Sequence, residues 1–202
     1  MIGIPIIIFA LIYSRNVEDV IIKKYTESAV ASVNETSEKI NLILEDINKF
    51  STLIISNQEF LEMAENHTNY KRNDFNNKLR SFITIRSDIE AIRLKVQEND
   101  YSIGSNITDL DPYISPELEN SEGQPIWMPT KKVEIEILAG NFEKYYFTLA
   151  RKLIDYNNLE HYGYLMIDLD EIFLEQSYSE IQGEQNEEVF ICDNNGKIIS
   201  NS

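Results

Sequence analysis

The chain has 202 residues and a mass of 23.5 kDa, enough for one sizeable core or for a small domain with extended helical parts. It is 43% hydrophobic and 26% charged, with few glycines and prolines, which excludes wholesale disorder, collagen and disulfide-scaffold classes. Acidic residues number 34 against 18 basic ones, a formal charge of -16; a field of that sign repels phosphate backbones and anionic lipid, so no nucleic-acid partner is expected. The single cysteine, Cys192, cannot form an internal disulfide and leaves the redox compartment open.

Residues Met1 to Tyr13, MIGIPIIIFALIY, are apolar throughout. As helix they reach about 20 Å, against about 30 Å for a bilayer core. Three readings compete. A signal-peptide core lacks a basic flank and a small-x-small cleavage site. A buried soluble helix would need a polar face that Ile6-Ile7-Ile8-Phe9 does not offer. The reading adopted is the second half of a membrane-spanning helix over residues 1–14, because the short span and the missing basic flank then share one cause. Arg15, Lys23 and Lys24 follow the run, but long domains translocate largely regardless of charge.

From Asn16 to about Ser56 the sequence predicts one long helix, without glycine or proline and with an apolar stripe at Val30, Val33, Ile40, Leu44, Ile47 and Ile54. Ser37 and Ser51 interrupt the stripe. A helix of about 60 Å outruns a small core and must have two environments, which leaves its first half open to pairing with a second copy. Asn57 is a candidate cap for a short helix from Gln58 to Glu65. A further helix is expected from Asp74 to about Ser87, with Phe75, Leu79, Phe82, Ile83 and Arg86 at helical spacing.

The period then changes to two. Ile92, Leu94 and Val96 alternate with Arg93, Lys95 and Gln97, the pattern of a half-buried strand. A turn is expected at Asn99-Asp100, with a return strand from Tyr101 to Ser105. VEIEIL repeats the alternation; YYFTLARKLI and YGYLMIDL follow, separated by short polar connections. Leading helices and a strand meander indicate an α+β domain with an antiparallel sheet. Between strands, Ile107 to Thr130 holds four of the five prolines and the only tryptophan; so long an irregular stretch inside a compact domain is expected to bind something. An amphipathic helix is predicted from Glu171 to Gln182, with Ile172, Phe173 and Ile181 apolar and Asp170 as its cap. EVFICD and KIIS around Asn194-Asn195-Gly196 signal a hairpin. Two strands make no independent domain, so the chain is expected to continue past Ser202.

The order of an apolar span, the long helix IIKKYTESAVASVNETSEKINLILEDINKFSTLI, an α+β sheet with FTLARKLIDYNNLEHYGYLMIDLDEIFLEQ, and VFICDNNGKIISN resembles the extracytoplasmic double Cache (tandem PAS-like) sensor region of YesM-type bacterial sensor histidine kinases. The fold class implied is a long helix followed by a PAS-like antiparallel sheet domain and the start of a second Cache subdomain. The divisions implied are a partial membrane helix (1–14), a membrane-to-domain helix (15–57), a membrane-distal ligand-binding subdomain (58–170), and a connecting helix with the first hairpin of a membrane-proximal subdomain (171–202). Residues after about 14 would lie outside the cytoplasm, and the kinase would lie beyond this chain, which carries no Gly-rich phosphate loop.

In related domains the pocket lies between the sheet and the long proline-containing loop. The ligand-site candidates are therefore Trp127 and Tyr146 for apolar area and stacking, Arg151 for a carboxylate or hydroxyls, and Asp155 for an amine. Alternation puts Tyr146 and Arg151 on opposite strand faces unless the strand is bulged, and a surface role for Arg151 remains open. The resemblance implies a small extracellular ligand, nutrient-related and carbohydrate by analogy, and a homodimer. Cys192 has no basic neighbour to stabilise a thiolate. Asp168, Asp170 and Glu171 lack the third ligand and glycine of a calcium loop, and read as a solvated strand end and cap. No catalytic residue, metal or cofactor is expected. Two other outputs stay open: the sensor region of a chemoreceptor or cyclic-dinucleotide enzyme, and a membrane-tethered hydrolase, for which no paired carboxylates or nucleophile–base signature is found.

Overall fold

The structure is a computed structural model that describes residues 3–65, 71–104, 110–137, 140–155, 160–178, 189–192, 196 and 198–201. Helix α1 runs unbroken over Gly3–Ile55, 53 residues and about 80 Å. The long-helix expectation holds, and the helix also takes in the preceding apolar run without a break. Among the described residues no helix is long and apolar enough to cross a membrane. With Pro5 in the first turn and no glycine or proline between it and Ile55, nothing in this stretch opposes continuous helix.

Along α1 the environment changes. Val17, Val20, Ile21, Ile22, Tyr25, Val30 and Val33 are exposed, whereas Thr36, Ile40, Ile47, Phe50, Ser51 and Ile54 are buried. Ser51 is tolerated in that stripe because its hydroxyl donates to the Asn48 carbonyl at 2.7 Å, so no polar group goes unpaired. Ion pairs such as Lys23–Glu27 and Lys49–Glu45 lie on the exposed side and add little.

Asn57 caps α2 (Gln58–Glu65), its Oδ1 accepting from the Phe60 amide at 3.0 Å. Helix α3 covers Arg72–Ile83, starting and ending earlier than its spacing predicts. Asp74 sits inside its first turn and accepts from the Lys71 amide at 2.8 Å. At the other end Arg86 is outside the helix and bonds Asp88 and Asp46.

Five strands form one antiparallel sheet in the order β2-β1-β5-β4-β3: β1 Ile89–Val96, β2 Asn99–Ile103, β3 Ile126–Ile137, β4 Gly140–Ile154 and β5 His161–Asp170. The β1–β2 turn falls at Gln97-Glu98, not at Asn99-Asp100, with Val96 opposite Asn99 and Gln97 taking φ 52. Gly163 lets β5 lie close to β1: a Cβ there would stand 2.1 Å from the Lys95 carbonyl oxygen. The expected irregular stretch is partly regular. It holds a 3-10 turn at Asp111–Tyr113, the short helix α4 at Pro116–Glu119 capped by Ser115, and the first residues of β3. Pro129 falls where the β3–β4 register shifts between Met128 and Lys131, a place where a missing amide breaks no ladder.

Both sheet faces are covered. On one side Ile47, Phe50 and Ile54 of α1, with Phe60, Phe75 and Leu79, meet Ile92, Leu94, Phe147, Leu149, Leu165 and Ile167. Each such side chain contributes about 1.5–3 kcal/mol on burial. On the other side Leu110 and Leu118 of the proline-containing segment pack on Met128, Ala150, Tyr164 and Met166. After β5, helix α5 (Ile172–Tyr178) buries Leu174 and Tyr178, while Ile172 is 47% exposed; the buried face is thus one step round from the expected one. Asp170 Oδ1 accepts from the Ile172 amide as the expected cap. Strands β6 (Phe190–Cys192) and β7 (Ile198–Asn201) pair antiparallel as a hairpin; Ile181 and Asn194-Asn195 lie outside the described residues.

Candidate functional site

Strand alternation sends Arg93 of β1, Thr148 of β4 and Asp168 of β5 to the face opposite α1. Asp168 sits across from Ala91 on one side and Thr148 on the other, which places its carboxylate among all three strands. Arg93 Nη2 donates to Asp168 Oδ1 at 2.6 Å, and the Thr148 hydroxyl donates to the same oxygen at 2.7 Å. Arg93 is 1% and Asp168 3% exposed. The reading of Asp168 as a solvated strand end is therefore corrected, and so is the half-buried character of β1. The residues opposite Ile92 and Leu94 are not wet, because the proline-containing segment roofs them.

Above the cluster Tyr113 presents its ring to two cations. The Arg93 guanidinium carbon lies 4.6 Å and the Lys131 ammonium 4.1 Å from its centroid, a geometry in which the ring quadrupole offsets part of their repulsion. Burial, and then the charge of Arg93, push the Lys131 ammonium below its ordinary pKa, with Asp168 opposing. The Arg93 Nε and Nη1 have no hydrogen-bond partner among the described residues. A buried guanidinium normally satisfies its donors, so unused ones inside a roofed cluster point to a further acceptor.

The roof is fastened around this centre. Lys95 pairs with Asp111 at 2.9 Å and Asp100 at 3.6 Å, and the Leu110 amide donates to Asp100. At the other end Lys152 donates to the Glu119 carbonyl at 2.6 Å, and the Tyr164 hydroxyl to the Glu119 carboxylate; burial is the main cause that raises the Tyr164 pKa. On the third side Lys144 pairs with Glu90 at 2.9 Å and Asp170 at 3.5 Å.

The four sequence candidates are not brought together. Tyr146 alone shares the roofed face, beside Lys144 and opposite Lys131; burial raises its pKa. Trp127 faces the helices, stacked on Phe147 at 5.5 Å. Arg151 is also on that side, buried and donating to Asn48 Oδ1 of α1, neither a surface residue nor a neighbour of Tyr146. Asp155 closes the end of the β4–β5 pair, its amide bonded to the Glu160 carbonyl. Arg93, Asp168, Tyr113 and Lys131 were not among the candidates. The available signal was the apolar content of the proline-containing segment, Leu110, Tyr113, Ile114 and Leu118, which requires a sheet face to cover.

No protein-family model matches the sequence, and no curated protein matches it. Solved structures do. The extracellular domain of the histidine kinase vpHK1S-Z8 superposes with TM-score 0.59 at 12% identity, over 77% of this chain and 62% of that one. The chain has a PAS-like, Cache-type fold, a long helix followed by an antiparallel sheet. The ligand-binding domain of the Campylobacter jejuni chemoreceptor Tlp3, solved with 4-methylisoleucine, superposes with TM-score 0.55 at 12% identity, over 87% of this chain and 70% of that one. A domain of a sensory box/GGDEF family protein from Vibrio parahaemolyticus gives TM-score 0.53 at 12% identity, over 79% and 64%. The chain thus spans less than two thirds of the vpHK1S-Z8 extracellular domain it matches, and its likeness to all three lies in architecture.

Proposed function

We propose that the chain is the extracytoplasmic ligand-sensing region of a two-component sensor histidine kinase of YesM type, with a small solute bound on the roofed sheet face. The observation that carries this is the buried Arg93, whose unused donors sit beneath a segment held over the sheet by side-chain contacts at Asp111 and Glu119. Ligand seated beneath the segment shifts its contacts with Arg93, Thr148, Asp168 and Tyr146, and the displacement of β4 passes to α1. Only a difference in affinity between the two states of the sheet can do this.

In this reading residues 58–170 are the membrane-distal ligand-binding subdomain and 171–202 lead into a membrane-proximal one. Residues 1–14 belong to a membrane anchor, and the exposed apolar half of α1 pairs with a second copy. The kinase lies outside the chain. Thermal unfolding against a library of small nutrients, sugars included, tests the reading: a binder should raise Tm, since ligand stabilises only the folded state, and Tyr146→Phe or Thr148→Val should weaken that shift. No shift with any solute counts against a sensor. Sedimentation of the chain should show a dimer that Val30→Glu and Val33→Glu dissociate.

A further inference from the structure

Among the described residues, the lysines around the centre of the roofed face have carboxylate partners. Lys95 has Asp100 and Asp111, Lys144 has Glu90 and Asp170, and Lys152 has Glu119. Lys131 makes no ion pair among the described residues; its ammonium rests on Tyr113, the ring that also stacks on Arg93. One carboxylate, Asp168, bonds Arg93, and its Oδ1 is shared with Thr148. Among the described residues, two cations and one anion leave a net positive centre in a chain of formal charge -16. Arg93 Nε and Nη1 have no hydrogen-bond partner among the described residues.

We propose that this centre takes an anionic solute, a carboxylate or other small oxyanion, an inference that rests on the sensor reading above. With Asp168 on one hydrogen of Arg93 Nη2, the second Nη2 hydrogen and an adjacent unused N–H form a planar fork. That fork matches two oxygens of one oxyanion. Lys131 supplies a second, less oriented charge from the rim. A neutral sugar offers acceptors but nothing to offset two neighbouring cations. A protonated amine meets both of them and finds Asp168 already engaged.

Titration calorimetry on the 202-residue chain with glucuronate, glucose and glucosamine compares an anion, a neutral and a cation on one ring skeleton. Lactate, succinate and inorganic phosphate separate carboxylates from phosphate. At least one anion should bind about tenfold or more tightly than the best neutral or cationic probe. Lys131→Gln, an exposed position, should keep the parent Tm and lower anion affinity about tenfold. Glucose or glucosamine binding as well as every anion, or anion affinity unchanged in Lys131→Gln, overturns the anion preference and leaves the sensor reading standing. Silence of this panel and of the wider solute library overturns both.

Discussion

Arg151 reaches from β4 to Asn48 on α1, and on the reverse face of the same strand, three residues earlier, Thr148 holds Asp168. One strand therefore carries the candidate ligand cluster on one side and a polar tie to the long helix on the other. Movement of β4 has a direct route to α1. Arg151→Ala should lower unfolding stability by about 2 kcal/mol, the cost of a lost hydrogen bond to a charged group in a buried place. The urea midpoint should fall with its slope unchanged. A midpoint equal to the parent's removes Arg151 as a tie.

Asp168 and Arg93 form a buried pair, so the two single changes and the double change should differ in kind. Asp168→Ala leaves a buried guanidinium uncompensated and should cost about 3–5 kcal/mol. Replacing both partners by apolar groups, Arg93→Met with Asp168→Leu, should recover most of that loss while ending any ligand response. A double variant as unstable as the sum of its singles contradicts the pairing.

Gly163 lies within β5 where the Lys95 carbonyl fills the space of a Cβ. Gly163→Ala must push β5 from β1 and should destabilise by about 2–3 kcal/mol, read from thermal or urea unfolding. An alanine that raised stability through its lower unfolded-state entropy would show that the strands separate freely there.

The Arg86 guanidinium, bonded to Asp88 and opposed by burial, holds the Asp88 carboxyl below the usual carboxylate range; Arg86 also bonds Asp46 of α1. A depressed carboxyl stabilises the fold fully above its unfolded-state value of about 3.9 and loses that contribution as pH falls through the folded-state value. Asp88→Asn should be less stable than the parent by about 1 kcal/mol at pH 7, with the gap closing below about pH 4. Urea midpoints of both proteins at stepped pH check this, and a gap constant down to pH 3 contradicts it.

Helix α1 was legible because its determinants are local: no helix breaker occurs after Pro5, and an apolar stripe runs from Ile40 to Ile54. The strands were legible from alternation, and their ends less so; the β1–β2 turn at Gln97 rests on a positive φ that the residue type does not announce. Arg93 and Asp168 were missed because alternation marks two faces without saying what covers either one. A charge opposite Ile92 reads as solvated until Leu110, Tyr113 and Leu118 are placed above it. Arg151 misled for the same reason, its face being set by α1, a hundred residues earlier in the chain.

The uninterrupted length of α1 has a geometric consequence. From Asn48 to Gly3 the helix extends about 68 Å, so a tilt of about 3° at the sheet carries its far end sideways by about 3.5 Å. A change too slight to disturb the packing of β4 thus becomes, at the tip of this lever, a stroke comparable to the width of a side chain.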